Sequence, residues 1–121
     1  MGWILAIFSI LFIMNDTPIT PEPDMTAPID KILQKIEKET GCEMIVTSGY
    51  RTKAHNKKVG GSKNSYHLTD RARDIVPKNK ECISIKQLGE IACKMTSTMV
   101  YSRHVHIDSR KKKICITGKY K

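Results

Sequence analysis

The sequence predicts one α+β domain. Two stretches carry apolar residues at helical spacing, several short runs read as strands, and polar, turn-rich segments separate them. The chain has 121 residues, enough for one domain and too few for two. The folded part is expected at residues 25–121. A domain that small buries a modest core, and a metal ion or a disulfide would add to its stability.

The elements follow in chain order. Residues 3–14 are apolar except for Ser9. Twelve residues fall short of the roughly 20 that span a membrane, but they match the apolar core of a secretory signal. No Lys or Arg precedes the run and no small-x-small site follows it, so residues 1–14 read as a signal peptide or a short, uncleaved membrane anchor. Pro18, Pro21 and Pro23 make residues 15–24 a stiff linker. Ile29, Ile32, Leu33 and Ile36 then fall at i, i+3, i+4 and i+7, the stripe of an amphipathic helix, with Pro28 suited to its first turn and Gly41 to its stop. Glu43 to Ser48 reads as a strand with Met44, Ile45 and Val46 buried. Residues 49–66 read as a loop, with or without a short helix. Ala72 to Val76 is a short strand closed by Pro77. Residues 84–96 form the second helix, with Ile85, Leu88, Ile91 and Ala92 on one side. Residues 98–108 alternate like one strand, and Lys113 to Thr117 is the last. The expected sheet is small and antiparallel.

Charge is divided along the chain. Net charge is +9, and residues 1–24 hold Asp16, Glu22 and Asp24 with no Lys or Arg, which leaves +12 on the remainder. Such a surface suits an anionic partner such as cell wall, nucleic acid or anionic lipid, although solvated lysines alone select none of them. Little aromatic residue is interleaved with the basic ones, which argues against stacking on nucleic acid. Cys42, Cys82, Cys93 and Cys115 permit two disulfides in any of three pairings, or buried thiols. Their wide spacing argues against a four-cysteine zinc site.

The chemistry concentrates in two places. His67 and Asp74 are seven residues apart, which on a continuous helix is about 10 Å along the axis. They can share an ion only if the chain turns between them, and Asp70 tolerates turn geometry. In the second place, His104-Val105-His106-Ile107-Asp108 alternates polar and apolar residues. On a strand, His104, His106 and Asp108 face one cleft while Val105 and Ile107 face the core.

Ser48-Gly49-Tyr50-Arg51, His55-Asn56, Val59-Gly60-Gly61 and Asn64-Ser65-x-His67, ending in Asp74 and followed by His104-x-His106, resemble the zinc D-alanyl-D-alanine carboxypeptidase family. That family belongs to a wider group with lysostaphin-type peptidases and the hedgehog signalling domain. The resemblance covers about residues 43–110. It implies a hedgehog/D-Ala-D-Ala peptidase-like fold with one zinc ion on His67, Asp74 and His106. It further implies His104 as catalytic and Arg51 as the residue that contacts substrate or stabilises the transition state. Asn64, Ser65 and Tyr66 are expected along the substrate cleft, and Asp108, with Arg110, as support behind the ligands.

Two positions depart from the pattern. Asp70 stands where the family has Gly, and Asp is among the better replacements if the backbone there is left-handed. Arg103 stands where some relatives carry Glu or Asp, and it cannot take a proton. Base duty then falls on His104, or secondarily on Asp108. The implied activity is hydrolysis of peptide bonds in bacterial peptidoglycan by an exported, periplasmic or envelope-bound protein, of bacterial or phage origin. The alternatives are a zinc-binding or signalling module without turnover and, behind it, a basic nucleic-acid binder.

Overall fold

The computed structural model describes residues 27–120. The signal or anchor expected at 1–14 and the linker at 15–24 lie outside the described residues. Among the described residues no helix is long and apolar enough to cross a membrane.

Helix α1 spans Pro28–Thr40. Proline opens it, where the missing N–H has no helical partner to lose. Gly41 closes it in the left-handed region at φ 71°, its N–H donating to Glu37 O. Ile29, Leu33 and Ile36 are buried, and Ile32 packs at their margin, as the spacing requires. The chain continues through β1 Met44–Ser48, α2 Lys53–Lys58, a 3₁₀ turn Tyr66–Thr69, β2 Ala72–Pro77, α3 Ile85–Met95, β3 Ser97–Tyr101, β4 Val105–Asp108 and β5 Cys115–Tyr120. A capping box between Ser84 and Gln87 starts α3.

The five strands form one sheet in the order β1-β2-β4-β3-β5. β1, β2, β4 and β3 pair antiparallel, but β5 runs parallel to β3, so the sheet is mixed rather than wholly antiparallel. The cause is the hairpin before it. β4 ends where β3 begins, with Asp108 opposite Ser97, and β5 enters beside Thr98 at that same end.

The stretch 98–108 is thus two strands and not one. Tyr101 N donates to His104 O at 3.0 Å and closes a tight turn over Ser102 and Arg103, which carry none of the usual Gly or Asn turn signals. β1 also departs from expectation. Only Met44 of its apolar triplet is buried; Ile45 and Val46 are 45% and 42% exposed, because β1 is an edge strand.

α1 and α3 cover one face of the sheet. Ile75, Val100, Val105 and Ile107 point to them and join Leu33, Ile36, Leu88 and Ala92 in the core. Each fully buried aliphatic side chain of this kind contributes about 1.5–3 kcal/mol. On the same face Arg73 pairs with Asp30 of α1 through Nε–Oδ1 at 3.0 Å and Nη2–Oδ2 at 3.1 Å. The cysteine pairing that sequence left open is Cys42–Cys82, joining the end of α1 to the segment before α3, and Cys93–Cys115, joining α3 to β5.

Candidate functional site

Sheet register brings the first two functional groups together. Asp74 on β2 lies directly opposite His106 on β4. Cross-strand neighbours place their Cβ atoms about 4.5–5.5 Å apart, and both residues alternate with core residues, so both point away from the helices. The third group arrives by a turn. The 3₁₀ helix Tyr66–Thr69 ends at Asp70, which takes φ 58° and ψ 32°. That left-handed residue reverses the chain so that His67 faces Asp74 seven residues later. It is the one non-glycine with positive φ among the described residues, at the position where the family pattern has Gly.

The ligand atoms that His67, Asp74 and His106 offer lie within 4.8 Å of one another, and all three residues are buried. Their hydrogen bonds test whether a metal fits. His67 Nδ1 is 2.7 Å from Gly49 O, which can only accept, so Nδ1 carries the proton. Its Nε2 is 3.3 Å from Asp74 Oδ1. His106 Nε2 is 2.9 Å from Asp108 Oδ2 and donates to it, while His106 Nδ1 is 2.9 Å from Asp74 Oδ1. Two imidazole lone pairs and a carboxylate oxygen therefore converge. That arrangement repels itself unless protons or a cation sit between, and a divalent ion satisfies all three donors at once. Each histidine is also oriented through its other nitrogen, as metal-bound imidazoles are.

The electrostatics agree. Burial opposes ionisation of Asp74, but His106 and His67 outweigh it and hold its carboxyl well below the usual range. Burial likewise opposes charge on His106, yet Asp108 and Asp74 raise its pKa. The field that draws a proton there draws a cation equally. Asp108 is fully buried; burial disfavours its charge, while Arg110 and then His106 keep it ionised. Arg110 holds it by Nε–Oδ1 at 2.8 Å and Nη2–Oδ2 at 2.6 Å. Asp108 is thus committed behind His106 and is not placed to serve the cleft as a base.

An open cleft of about 580 Å³ runs over the three ligands and takes in Arg51, Asn64, Ser65, Tyr66 and His104. His104 Nε2 lies 3.9 Å from Asp74 Oδ2, and its ring stacks on Tyr101 with centroids 4.5 Å apart. Burial lowers its pKa, and Asp74 works in the opposite direction. Arg51 donates to Ser48 Oγ at 3.0 Å, Asn56 Oδ1 at 3.2 Å and Asp74 Oδ2 at 3.3 Å. It therefore grips a ligand carboxylate as well as lining the cleft. Ser65 caps the turn by accepting from His67 N at 3.2 Å, and Asn64 is exposed at the rim. The guanidinium groups of Arg110 and Arg71 lie over the Tyr66 ring, 4.6 and 5.2 Å from its centre. Arg103 is exposed in the hairpin turn.

Four contributors escaped the sequence reading. Asn56 is buried and clamps Arg51, its Nδ2 donating to Ser62 O at 2.7 Å; its place in the His55-Asn56 motif was the available signal. Gly61 is needed beside it, since a Cβ there would collide with Asn56 Oδ1 and press on Arg51. Tyr101 and Arg71 gave no local signal, because their partners are set by the hairpin and by the turn.

The family model for peptidase M15 matches residues 15–108. No curated protein matches the chain. The matched stretch holds the three converging ligands and every cleft residue named above except Arg110, and it bears out the resemblance read from the motifs. Over most of its length, then, the chain belongs to the peptidase M15 family, whose members are metal-dependent peptidases.

Proposed function

We propose that the chain hydrolyses peptide bonds with one zinc ion held by His67, Asp74 and His106, and that its substrate is a D-amino-acid-containing stem peptide or crosslink of bacterial peptidoglycan. The observation that carries this reading is the convergence of His67 Nε2, Asp74 Oδ1 and His106 Nδ1 in an open cleft. Two nitrogens and one carboxylate oxygen match a catalytic zinc site with one position free. When bound, the ion supplies Lewis-acid polarisation of the scissile carbonyl and a water acidic enough to ionise near neutral pH.

The chain's own residues do the rest. His104, half-buried beside the ligands and held by Tyr101, takes a proton from water as the oxygen adds to the carbonyl carbon. It returns that proton to the amine as the C–N bond breaks, leaving a carboxylic acid and an amine, and the acid's proton then passes to the amine to give carboxylate and ammonium. Arg51 spends three N–H groups on Ser48, Asn56 and Asp74, which leaves one on each terminal nitrogen for the carbonyl oxygen as it gains charge.

Support for the substrate comes from the motif resemblance, from the excess of positive charge and from the two disulfides, which persist in oxidising compartments. The same features, with the apolar residues 3–14, support export and envelope attachment. A zinc module without turnover is the second reading. Arg103, in place of an acidic residue, and the engagement of Arg51 with protein groups favour it.

Mass spectrometry of muropeptides digested by the zinc-loaded chain decides between them. Hydrolysis yields fragments that together exceed the parent by one water. Released terminal residues mark a carboxypeptidase, and split dimers an endopeptidase. Tight zinc binding with no fragment from any muropeptide would leave the module reading standing.

A further inference from the structure

Beside the cleft lies a second groove of about 430 Å³, lined by Tyr66, Arg71, Arg110, Lys111, Lys112 and Ile114. Tyr66 and Arg110 line both depressions, so a single ligand in the cleft can continue into the groove. Four of its six lining residues are cations and none is an acid. Two of the cations are fixed. Arg71 donates from Nη2 to Ser109 O at 2.6 Å and from Nε to Ser109 Oγ at 3.3 Å, and Asp108 holds Arg110. Both lie over the Tyr66 ring, one at 5.2 Å and the other at 4.6 Å from its centre. Lys111 and Lys112 are exposed and form no ion pair among the described residues. The nearby carboxylate, Asp108, is fully buried and pairs with Arg110, so it neutralises that cation and leaves Arg71, Lys111 and Lys112.

Arg71, Lys111 and Lys112, gathered without an ion pair among the described residues, repel one another, and a negatively charged ligand relieves that repulsion. Each guanidinium engages Ser109 or Asp108 through Nε and Nη2, and its remaining Nη1 and Nη2 N–H groups suit paired oxygens. We propose that this groove is a substrate subsite for a carboxylate, so that the preferred substrate is an acidic peptide whose anionic residue lies on the Tyr66 side of the cleaved bond. The proposal rests on the hydrolytic reading of the cleft. It favours a peptide over an extended polyanion because the groove shares Tyr66 and Arg110 with the cleft.

The test uses the zinc-loaded full chain and paired peptides that carry Glu or Gln at each position flanking the cleaved bond. At one position wild type should favour Glu by about fivefold in KM, with kcat unchanged. Lys111→Gln/Lys112→Gln, which leaves the metal ligands and Arg110 in place, should lose most of that preference while cleaving the Gln peptide normally. Absence of a Glu preference in wild type, or an equal preference in the variant, overturns the subsite. If wild type cleaves neither peptide, hydrolysis itself is wrong, and fluorescence anisotropy of the same peptides then decides the groove. Tighter Glu binding that the double variant loses supports it, and equal binding of Glu and Gln overturns it. A variant that loses affinity for duplex DNA or polyphosphate, yet keeps the wild-type Glu-to-Gln ratio, also overturns it and marks a polyanion dock.

Discussion

The two faces of strands β2 and β4 are built from alternate residues of the same short segments, yet they settle their polar groups in opposite ways. Toward α1 and α3 stand Ile75, Val105 and Ile107, with Arg73 at the margin. The buried charge there is matched inside the chain: Arg73 meets Asp30 with two hydrogen bonds and Asp70 with a third at 2.7 Å. Toward the cleft stand Asp74, His106 and Asp108, equally buried. Asp108 is matched by Arg110 and His106, but Asp74 and the two histidine lone pairs converge, with Arg51 at 3.3 Å and His104 at 3.9 Å against one carboxylate oxygen. One face is complete as a folded chain, and the other gathers groups that could hold a cation. The difference separates stability from function along a strand four residues long.

That separation breaks first where a ligand is removed. Asp74→Asn and His106→Gln should each abolish hydrolysis and the zinc-dependent rise in Tm. In wild type that rise corresponds to about 2.7 kcal/mol when zinc stands 100-fold above its Kd. Thermal unfolding with and without a chelator reads it. A ligand variant that still gained stability from zinc would place the ion elsewhere.

On the helix face the expected loss is of the opposite kind. Asp30→Ala leaves the Arg73 guanidinium buried without its main partner, which costs about 3–5 kcal/mol. A domain of this size has about 5–15 kcal/mol in all, so the denaturation midpoint should fall sharply. Zinc affinity of the molecules that remain folded should change little. Loss of zinc affinity at full folding would show that Arg73 governs Asp74 through the backbone between them.

The sequence displayed the two faces unevenly. Ile29, Leu33 and Ile36, and the alternation Val105-His106-Ile107-Asp108, could be read directly because local geometry dictates them. His67, Asp74 and His106 could be read because a family motif ties their spacing together. The Asp30–Arg73 pair spans 43 residues and depends on how α1 lies across the sheet. The exposure of Ile45 depends on β1 being an edge, and the division of 98–108 on a turn without turn residues. Each of these is fixed by tertiary register, which no local pattern carries.

Smaller effects are expected where the cleft is shaped by backbone alone. Gly61→Ala drives a Cβ into Asn56 Oδ1 and displaces the clamp on Arg51. A misplacement of about 1 Å in a catalytic group can cost up to about 10²-fold in rate. The loss should fall on kcat, since the metal ligands are untouched, and Tm should drop less than in Asp30→Ala. A variant that loses KM alone would make Arg51 a binding group only.

The smallest effect is at Asp70, where the two faces meet. Its backbone holds the left-handed turn that aims His67 at Asp74, and its side chain bonds Arg73 on the other face. The two contributions predict different orders of stability. A left-handed conformation costs an L-residue about 1–2 kcal/mol and a glycine nothing, so if the turn dominates, Asp70→Gly matches or exceeds wild type and Asp70→Ala falls below both. The Asp70 side chain is 48% exposed, so its pair with Arg73 is worth about 0–1 kcal/mol. If that pair dominates, Gly and Ala fall together below wild type. The left-handed cost is the larger quantity, so the expected order places Gly level with Asp and Ala last, with zinc affinity following the same order because the turn positions His67. Equal losses for Gly and Ala would instead assign Asp70 to the helix face, as an anchor for Arg73 that the turn merely tolerates.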